Sequence, residues 1–152
     1  MEALLVVDIQ PETVRPRKAE SLMGVWNEVI GSRIPDHVAY IANLRPFGRV
    51  PKGNPFAEGL DIVSDEVFFK RVPDAFTNRA LPGWLERIGA DGVEIIGIDG
   101  NWCIKATALG AVSHGFRATV IEGAVSSADA KRFRERTVPR LRSRGVFVGS
   151  ME

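Results

Sequence analysis

The sequence is poor in cysteine, has no excess of charge of either sign and has no long apolar run. Its one cysteine, Cys103, cannot form an internal disulfide, so a reducing, cytoplasmic location is expected. Lysine and arginine number 20 against 19 aspartate and glutamate residues, which gives a net charge of +1. With so little net charge, the chain has no overall electrostatic field that would attract nucleic acid or an anionic membrane. Neither is therefore expected as a partner. The apolar run at residues 3–7 is too short for a signal peptide or a membrane span.

Internal repeats, low-complexity tracts and linker-like stretches are also missing. The chain has 152 residues, of which 45% are hydrophobic and 26% charged. This length and composition are typical of a globular domain with a substantial core. We therefore expect a single domain over residues 1–152.

Short apolar runs alternate with segments of helical periodicity along the chain. Strands are predicted at residues 3–7, 37–44, 67–70, 93–98, 116–121 and 146–148, with a loop starting at Glu122. Helices are predicted at about 19–30, 81–88, 102–114 and 128–143, the last bent near Pro139. This alternation predicts a three-layer α/β/α fold, Rossmann-like, with a six-stranded parallel sheet.

Reactive side chains follow three of the predicted strands. Asp8 follows the first strand, Lys70 ends the third, and Cys103 lies just beyond the fourth. Because the carboxyl ends of parallel strands share one edge of a sheet, these residues can meet in one crevice. The alternatives are a helix-capping Asp8, a solvated Lys70 and a Cys103 that fills a contact between helix and sheet.

Cys103 lies in a segment that changes from strand to helix. After the apolar run at 93–98, the residues Asp99, Gly100 and Asn101 favour a turn and a helix start. Cys103 then falls in the first helical turn, near free backbone N–H groups. With Lys70 nearby, we expect its pKa to lie roughly 1–2 units below that of a free thiol.

These three residues and their neighbours together resemble the isochorismatase-like cysteine hydrolases, which include nicotinamidases and N-carbamoylsarcosine amidase. The motifs are Val-Val-Asp-Ile-Gln at Asp8, Phe-Phe-Lys-Arg-Val-Pro-Asp-Ala-Phe at Lys70 and Gly-Ile-Asp-Gly-Asn-Trp-Cys-Ile-Lys-Ala-Thr-Ala at Cys103. The resemblance implies an Asp-Lys-Cys catalytic triad that cleaves a C–N bond of a small amide or carbamoyl compound through a thioester. It also implies a cis peptide between Ile98 and Asp99, an oxyanion hole from the N–H groups of Asp99 and Cys103, and a homo-oligomer.

Phe76 and Trp102 flank the predicted site and are expected to form apolar walls of a substrate pocket. Core packing is the alternative for Phe76. The chain also departs from the family pattern, with Gly100 where threonine is usual, Asp74 where serine is usual and Pro11 after the first motif. These positions shape the pocket, so the substrate stays open.

The metal motif of nicotinamidases, an aspartate and two histidines after the second strand, is missing from the sequence. Neither His37 nor His114 has a second histidine or a ligand cluster at metal spacing. We therefore predict no metal and no cofactor, and disfavour nicotinamidase activity itself.

Two other functions stay open. The departures at Pro11 and Gly100 allow a catalytically silent relative that binds a small ligand or serves as an assembly subunit. A nucleotide-binding or phospho-receiver domain is disfavoured, because the chain has no glycine-rich phosphate loop and no acidic pair beside Asp8.

Overall fold

A single six-stranded sheet organises residues 1–150, the part of the chain described by the computed structural model. Its strands are β1 (Glu2–Val7), β2 (Val38–Asn43), β3 (Val67–Lys70), β4 (Gly92–Ile98), β5 (Arg117–Ser126) and β6 (Phe147–Gly149). They lie in the order β3-β2-β1-β4-β5-β6, and every neighbouring pair is parallel. The predicted fold class is confirmed.

Helices connect the strands and cover both faces of the sheet. They are α1 (Pro11–Val14), α2 (Met23–Gly31), α3 (Ala80–Arg87), α4 (Lys105–Ser113), α5 (Ala130–Arg132) and α6 (Val138–Ser143). The helix predicted from residue 19 begins with a 3₁₀ turn, Ala19–Leu22, before α2. Within residues 1–150, no helix has the length and apolarity needed to cross a bilayer.

The central strand β1 is buried on both faces, which explains its continuous apolar sequence. Leu5 and Val7 belong to a core on one side, with residues from α3, α4 and α6. Leu4 and Val6 belong to a second core on the other side, with residues from α2. Successive side chains of a strand point to opposite faces, so a run with no polar break supplies both cores.

The fifth strand is longer than the sequence predicted. Between the pairs Ile95–Val120 and Gly97–Val125, β4 advances two residues while β5 advances five, so β5 carries three extra residues in a bulge. The predicted loop at Glu122 is this bulge, and pairing resumes through Ser126. The prediction of a strand end at residue 121 was wrong, because a local turn signal does not show that pairing with β4 resumes beyond it.

The last long helix is divided where Pro139 was expected to bend it. A wide π-type turn, Phe133–Thr137, joins α5 to α6. Proline has no N–H group, and its ring clashes with the carbonyl four residues earlier in a regular helix. The wide turn relieves this conflict and leaves Phe133 and Thr137 buried.

Gly97 lies where β1 and β4 approach too closely for any side chain. Its φ is +127°, and a Cβ there would lie 2.0 Å from the carbonyl oxygen of Val7. We expect Gly97→Ala to lower the free energy of unfolding by about 3 kcal/mol or more, through backbone strain and displacement of β1. Urea unfolding followed by circular dichroism measures this loss. Gly24→Ala is the control, because nothing lies within 4 Å of its added Cβ; equal stability of the two variants would contradict the expectation.

Candidate active site

Asp8, Lys70 and Cys103 meet at the carboxyl edge of the sheet. The Lys70 Nζ donates to Asp8 Oδ2 at 2.8 Å and to Cys103 Sγ at 3.4 Å. Asp8 and Lys70 are almost fully buried, whereas Cys103 is partly exposed. The sheet order reverses between β1 and β4, and a crevice at such a point is the usual ligand site of open α/β sheets. The three side chains that the sequence predicted to converge therefore do so.

Asp8 is held in a backbone conformation that few residues adopt. Its φ is +54°, in the left-handed region, directly after β1 ends. Its N–H donates to the Ile41 carbonyl at 2.9 Å, and its carbonyl accepts a hydrogen bond from the Thr13 hydroxyl. Strained conformations of this kind persist where the surroundings hold them in place, and they cluster at functional sites. In this conformation the Asp8 carboxylate accepts a hydrogen bond from Lys70.

Lys70 reaches the crevice from the end of β3, and its ammonium also donates to Asn43 Oδ1 at 3.3 Å. Asn43 pairs with Lys70 in the sheet register. The Gln10 side chain bonds both backbone groups of Asn43, accepting from its N–H at 2.9 Å and donating to its carbonyl at 3.2 Å. The three donor positions of the ammonium thus meet a carboxylate, an amide oxygen and the sulfur.

Cys103 lies in a wide π-type turn, Gly100–Ile104, between β4 and α4. Turns of this width inside helices often occur at functional sites. The Asp99 carbonyl accepts from the N–H groups of Trp102 and Ile104, and not from the N–H of Cys103 between them. The peptide bond between Ile98 and Asp99 is cis.

Buried polar side chains fix this turn to the rest of the chain. Asp99 Oδ1 accepts from the Asn101 N–H at 2.9 Å, and Asp99 Oδ2 accepts from Arg17 Nε at 3.0 Å. The second oxygen also accepts from the Ala128 N–H at 2.8 Å. Asn101 Oδ1 in turn accepts from the Thr137 hydroxyl at 2.6 Å. Hydrogen-bonded networks of this kind hold a turn, and with it the side chain of Cys103, in one position.

The expectation of a lowered thiol pKa was wrong. Burial and the neighbouring Asp8 carboxylate raise the pKa of Cys103 to about 12, and Lys70 offsets only part of that rise. The ammonium is shared with Asp8 at 2.8 Å, so the pair presents little net positive charge to the sulfur. The resting site therefore holds a neutral thiol beside an ion pair.

Asp8 is placed to receive a proton. Burial raises the pKa of its carboxyl group, against the opposing effect of Lys70. Its Oδ1 is buried and accepts no well-formed hydrogen bond among residues 1–150, and a side-chain interaction with the Cys103 thiol lowers the pKa of the carboxyl group in part. An acceptor oxygen without a well-formed hydrogen bond, next to a protonated thiol, can take up the thiol proton at little cost in rearrangement.

The two predicted pocket walls differ in environment. Trp102 is 55% exposed, and the Arg132 guanidinium lies 5.7 Å from its ring centroid. Phe76 is buried, with its ring 5.2 Å from that of His114 and 6.0 Å from that of Phe116. Phe76 thus takes the core-packing role that the sequence left open, and its part in a pocket stays a prediction.

At the positions where the chain departs from the family pattern, the neighbouring residues accommodate the change. A Cβ on Gly100 would lie 2.3 Å from Ser127 Oγ and 2.5 Å from the Phe133 ring, so Phe133 occupies the space of a larger side chain. Likewise, a Cβ on Gly110 would lie 2.3 Å from Asp74 Oδ1. Pro11 opens α1, where a missing N–H costs no hydrogen bond. These changes are compatible with an intact crevice.

The residues after β2 do not suit the metal site of nicotinamidases. The strand itself ends at Asn43, whose amide oxygen accepts from Lys70, and the residues after it begin with Leu44 and Arg45. A guanidinium cannot ligate a cation. Across residues 1–150, no group of three or more His, Cys, Asp and Glu side chains is arranged to hold a metal ion.

Several supporting residues were not found by sequence reasoning. Gln10, Thr13, Arg17 and Asn43 lie next to the motifs, but no local pattern singles out their side chains. Arg17 is 82 positions from its partner Asp99. The one available signal was the Asp-Ile-Gln motif, which placed Gln10 beside Asp8.

Comparison with known proteins relates the whole chain to one family. The family model described as the isochorismatase domain matches residues 2–152. An uncharacterized isochorismatase family protein of Bacillus subtilis strain 168, YddQ, is 29% identical over 147 residues, covering 82% of this chain and 77% of that protein. Maleamate amidohydrolase of Pseudomonas putida is 33% identical over 78 residues, covering 49% of this chain and 37% of that enzyme.

A solved structure shares the fold. The nicotinamidase/pyrazinamidase of Acinetobacter baumanii superposes with a TM-score of 0.82 at 22% identity, covering 98% of this chain and 95% of that one. At this level of identity the likeness concerns the three-layer architecture.

Proposed function

This chain belongs to the isochorismatase family of hydrolases, and from that premise we propose that it cleaves the C–N bond of a small amide or carbamoyl compound through a thioester on Cys103. The observation that carries the proposal is the position of Lys70 Nζ, 2.8 Å from Asp8 and 3.4 Å from the Cys103 sulfur. The partial match to a maleamate amidohydrolase supports an amide as the substrate.

In the first step, the Cys103 sulfur attacks the carbonyl carbon while its proton passes to Asp8. The free Oδ1 of Asp8 is the acceptor. A thiol pKa of about 12 means that little thiolate exists at rest. Proton transfer must therefore accompany attack, with Lys70 stabilising the negative charge as it moves from carboxylate to sulfur and substrate.

The tetrahedral intermediate carries a negative oxygen, for which we propose the N–H groups of Asp99 and Cys103 as donors. The wide turn supports this role, because the Asp99 carbonyl does not accept the Cys103 N–H. A donor aimed at an oxyanion contributes roughly 3–4 kcal/mol to lowering the barrier.

Collapse of the intermediate breaks the C–N bond, and Asp8 returns its proton to the leaving nitrogen. This yields ammonia or an amine and an acyl thioester on Cys103. A water molecule then attacks the thioester carbonyl and gives its proton to Asp8. Release of the carboxylic acid restores the thiol as Asp8 passes that proton to sulfur, so the cycle consumes one water.

The test is ammonia release from a panel of small amides and carbamoyl compounds, combined with intact-protein mass spectrometry after acid quenching. We expect at least one compound to release ammonia and to add its acyl mass to Cys103, removable by hydroxylamine. If no compound is turned over and no acyl adduct forms, the chain is the catalytically silent relative that the departures at Pro11 and Gly100 allow.

A further inference from the structure

Arg17 links the two sides of the crevice. It lies in the segment that joins α1 to α2, and its side chain is 22% exposed. Its Nε donates to Asp99 Oδ2 at 3.0 Å, on the side that carries Cys103. Its Nη1 donates to the Thr13 carbonyl at 3.1 Å, on the side that carries Asp8. One guanidinium therefore joins the turn that holds the sulfur to the segment that holds the proton acceptor.

On the Asp8 side, the connection continues through Thr13. The Thr13 hydroxyl donates to the Asp8 carbonyl, and the Thr13 N–H donates to the Gln10 carbonyl at 3.1 Å. Asp8 has a φ of +54°, a conformation that persists only where neighbouring contacts hold it. The bond from Arg17 to Thr13 is one of the contacts that hold this segment.

On the Cys103 side, Arg17 bonds a carboxylate that needs a cation. The Asp99 side chain is 3% exposed, and among residues 1–150 Arg17 is the one cation within 4.0 Å of it. A buried carboxylate that loses its cation is strongly destabilised, so the surrounding backbone shifts to rehydrate it. The N–H of Asp99 is one of the two donors proposed for the oxyanion, and such a donor acts only at hydrogen-bond distance from that oxygen.

The backbone beside Arg17 is held in an uncommon conformation. Lys18 has a φ of +49°, in the left-handed region that few residues other than glycine adopt. Its N–H donates to the Arg15 carbonyl at 3.1 Å, and the next residue, Ala19, is buried in the core that contains Leu4 and Val6. The guanidinium therefore extends from an anchored segment of the chain.

Resting on the proposed hydrolysis, we infer that Arg17 is a positioning residue of the reaction, which sets the distance between the oxyanion donors and the Asp8 carboxylate by bonding Asp99 and Thr13 at once. Attack on the carbonyl carbon and proton transfer to Asp8 occur together, so both sides of the crevice must be in place in the same transition state. A displacement of about 1 Å in such a site costs on the order of 10²-fold in rate.

The charge of Arg17 gives the inference a second readout. Burial raises the pKa of the Asp8 carboxyl group, and the side chains that face it, Lys70, Cys103 and Arg17, each offset part of that rise. Removal of Arg17 therefore raises the pKa of Asp8 further. Because Asp8 must be unprotonated to accept the thiol proton, the acid limb of kcat/KM should move to higher pH.

The kinetic experiment uses the best amide of the panel. We expect Arg17→Gln to lower kcat about 30-fold with KM changed by less than about twofold, and to move the acid limb of kcat/KM upward. Arg17→Lys keeps the charge but cannot bond both acceptors in the same fork, so it should restore the acid limb and only part of kcat. Because the ion pair acts as a unit, adding Asp99→Asn to Arg17→Gln should lower kcat by less than about twofold more.

The control is a second ion pair on the same strand, away from the crevice. Arg33 donates to Glu94, near the amino end of β4, through Nε at 2.7 Å and Nη2 at 2.9 Å. The two side chains are 18% and 17% exposed, so this pair is also largely buried. Arg33→Gln should lower the midpoint of thermal unfolding and leave kcat and the acid limb as in wild type.

Amide hydrogen exchange followed by mass spectrometry needs no turnover, so it separates this inference from the proposed hydrolysis. We expect Arg17→Gln to speed exchange both in residues 8–17 and in residues 98–104, and Arg33→Gln to change neither. Faster exchange on both sides in a chain that hydrolyses no amide would reject the hydrolysis and keep the link between the two sides. Arg17→Lys serves for the same measurements if Arg17→Gln does not fold.

Three results would overturn the inference. The first is wild-type kcat with an unmoved acid limb in Arg17→Gln. The second is a rise in KM at constant kcat, which would assign Arg17 to substrate binding. The third is exchange that changes on one side only or that changes equally in Arg33→Gln.

Discussion

Replacing Cys103 with serine is expected to lower amide turnover by about 10⁴-fold or more while the chain keeps its fold. A serine hydroxyl is a much weaker acid than a thiol and a poorer nucleophile toward an amide. Its proton would have to pass to the same buried Asp8. The difference in pKa between a hydroxyl and that carboxyl group is larger than the difference for a thiol, so the transfer costs more. The side chains are nearly equal in size and Cys103 is only partly buried, so the core should tolerate the change.

The measurement is kcat/KM for the best amide of the panel, together with thermal unfolding of the same protein. Val112→Ala is a suitable control, because it alters an exposed residue of α4, the helix that follows Cys103. Retention of more than about a hundredth of wild-type activity in Cys103→Ser, with normal unfolding, would show that the sulfur is not the nucleophile.

Replacing Asp8 with asparagine is expected to have two opposite effects. Turnover should fall by about 10³-fold or more, because an amide cannot accept the thiol proton or return it to the leaving nitrogen. Alkylation of Cys103 should become faster, because Asp8 raises the pKa of the thiol and its negative charge disappears. Lys70 would then act on the sulfur without a competing carboxylate. Asparagine also tolerates the left-handed backbone at this position, where φ is +54°.

The rate of iodoacetamide labelling against pH measures the second effect. In wild type, a thiol pKa of about 12 predicts labelling that still rises at the alkaline end of the accessible range. In Asp8→Asn the curve should move to lower pH. Asp74→Asn is the control, since it also removes a half-buried carboxylate but one that has no part in the shift of the thiol pKa. A wild-type midpoint near neutrality, or no movement in Asp8→Asn, would contradict the resting state described above.

Much of the architecture follows from local patterns. The apolar runs of β1 and β4 predicted buried parallel strands, because only strands covered on both faces lack polar alternation. Asp8, Lys70 and Cys103 then follow from topology, since side chains after parallel strands share one edge of the sheet. Their grouping was predictable because it depends on strand direction, which the alternation of strands and helices determines.

The chemistry of the same residues was decided by tertiary structure. Proximity of Lys70 and Cys103 predicted an acidic thiol, yet the ammonium is bound to Asp8 and burial dominates, so the pKa rises. A pKa depends on the balance of desolvation and charge at one atom, and a strand pattern carries no information on that balance. The pairing of Arg17 with Asp99 and the approach of Phe133 to Gly100 likewise join segments far apart in sequence. The succession of strands and helices and the parallel direction of the strands were therefore determined by the sequence pattern itself. The order of the strands in the sheet, the protonation state and the shape of the site required the packed chain, because they depend on contacts between segments with no local link.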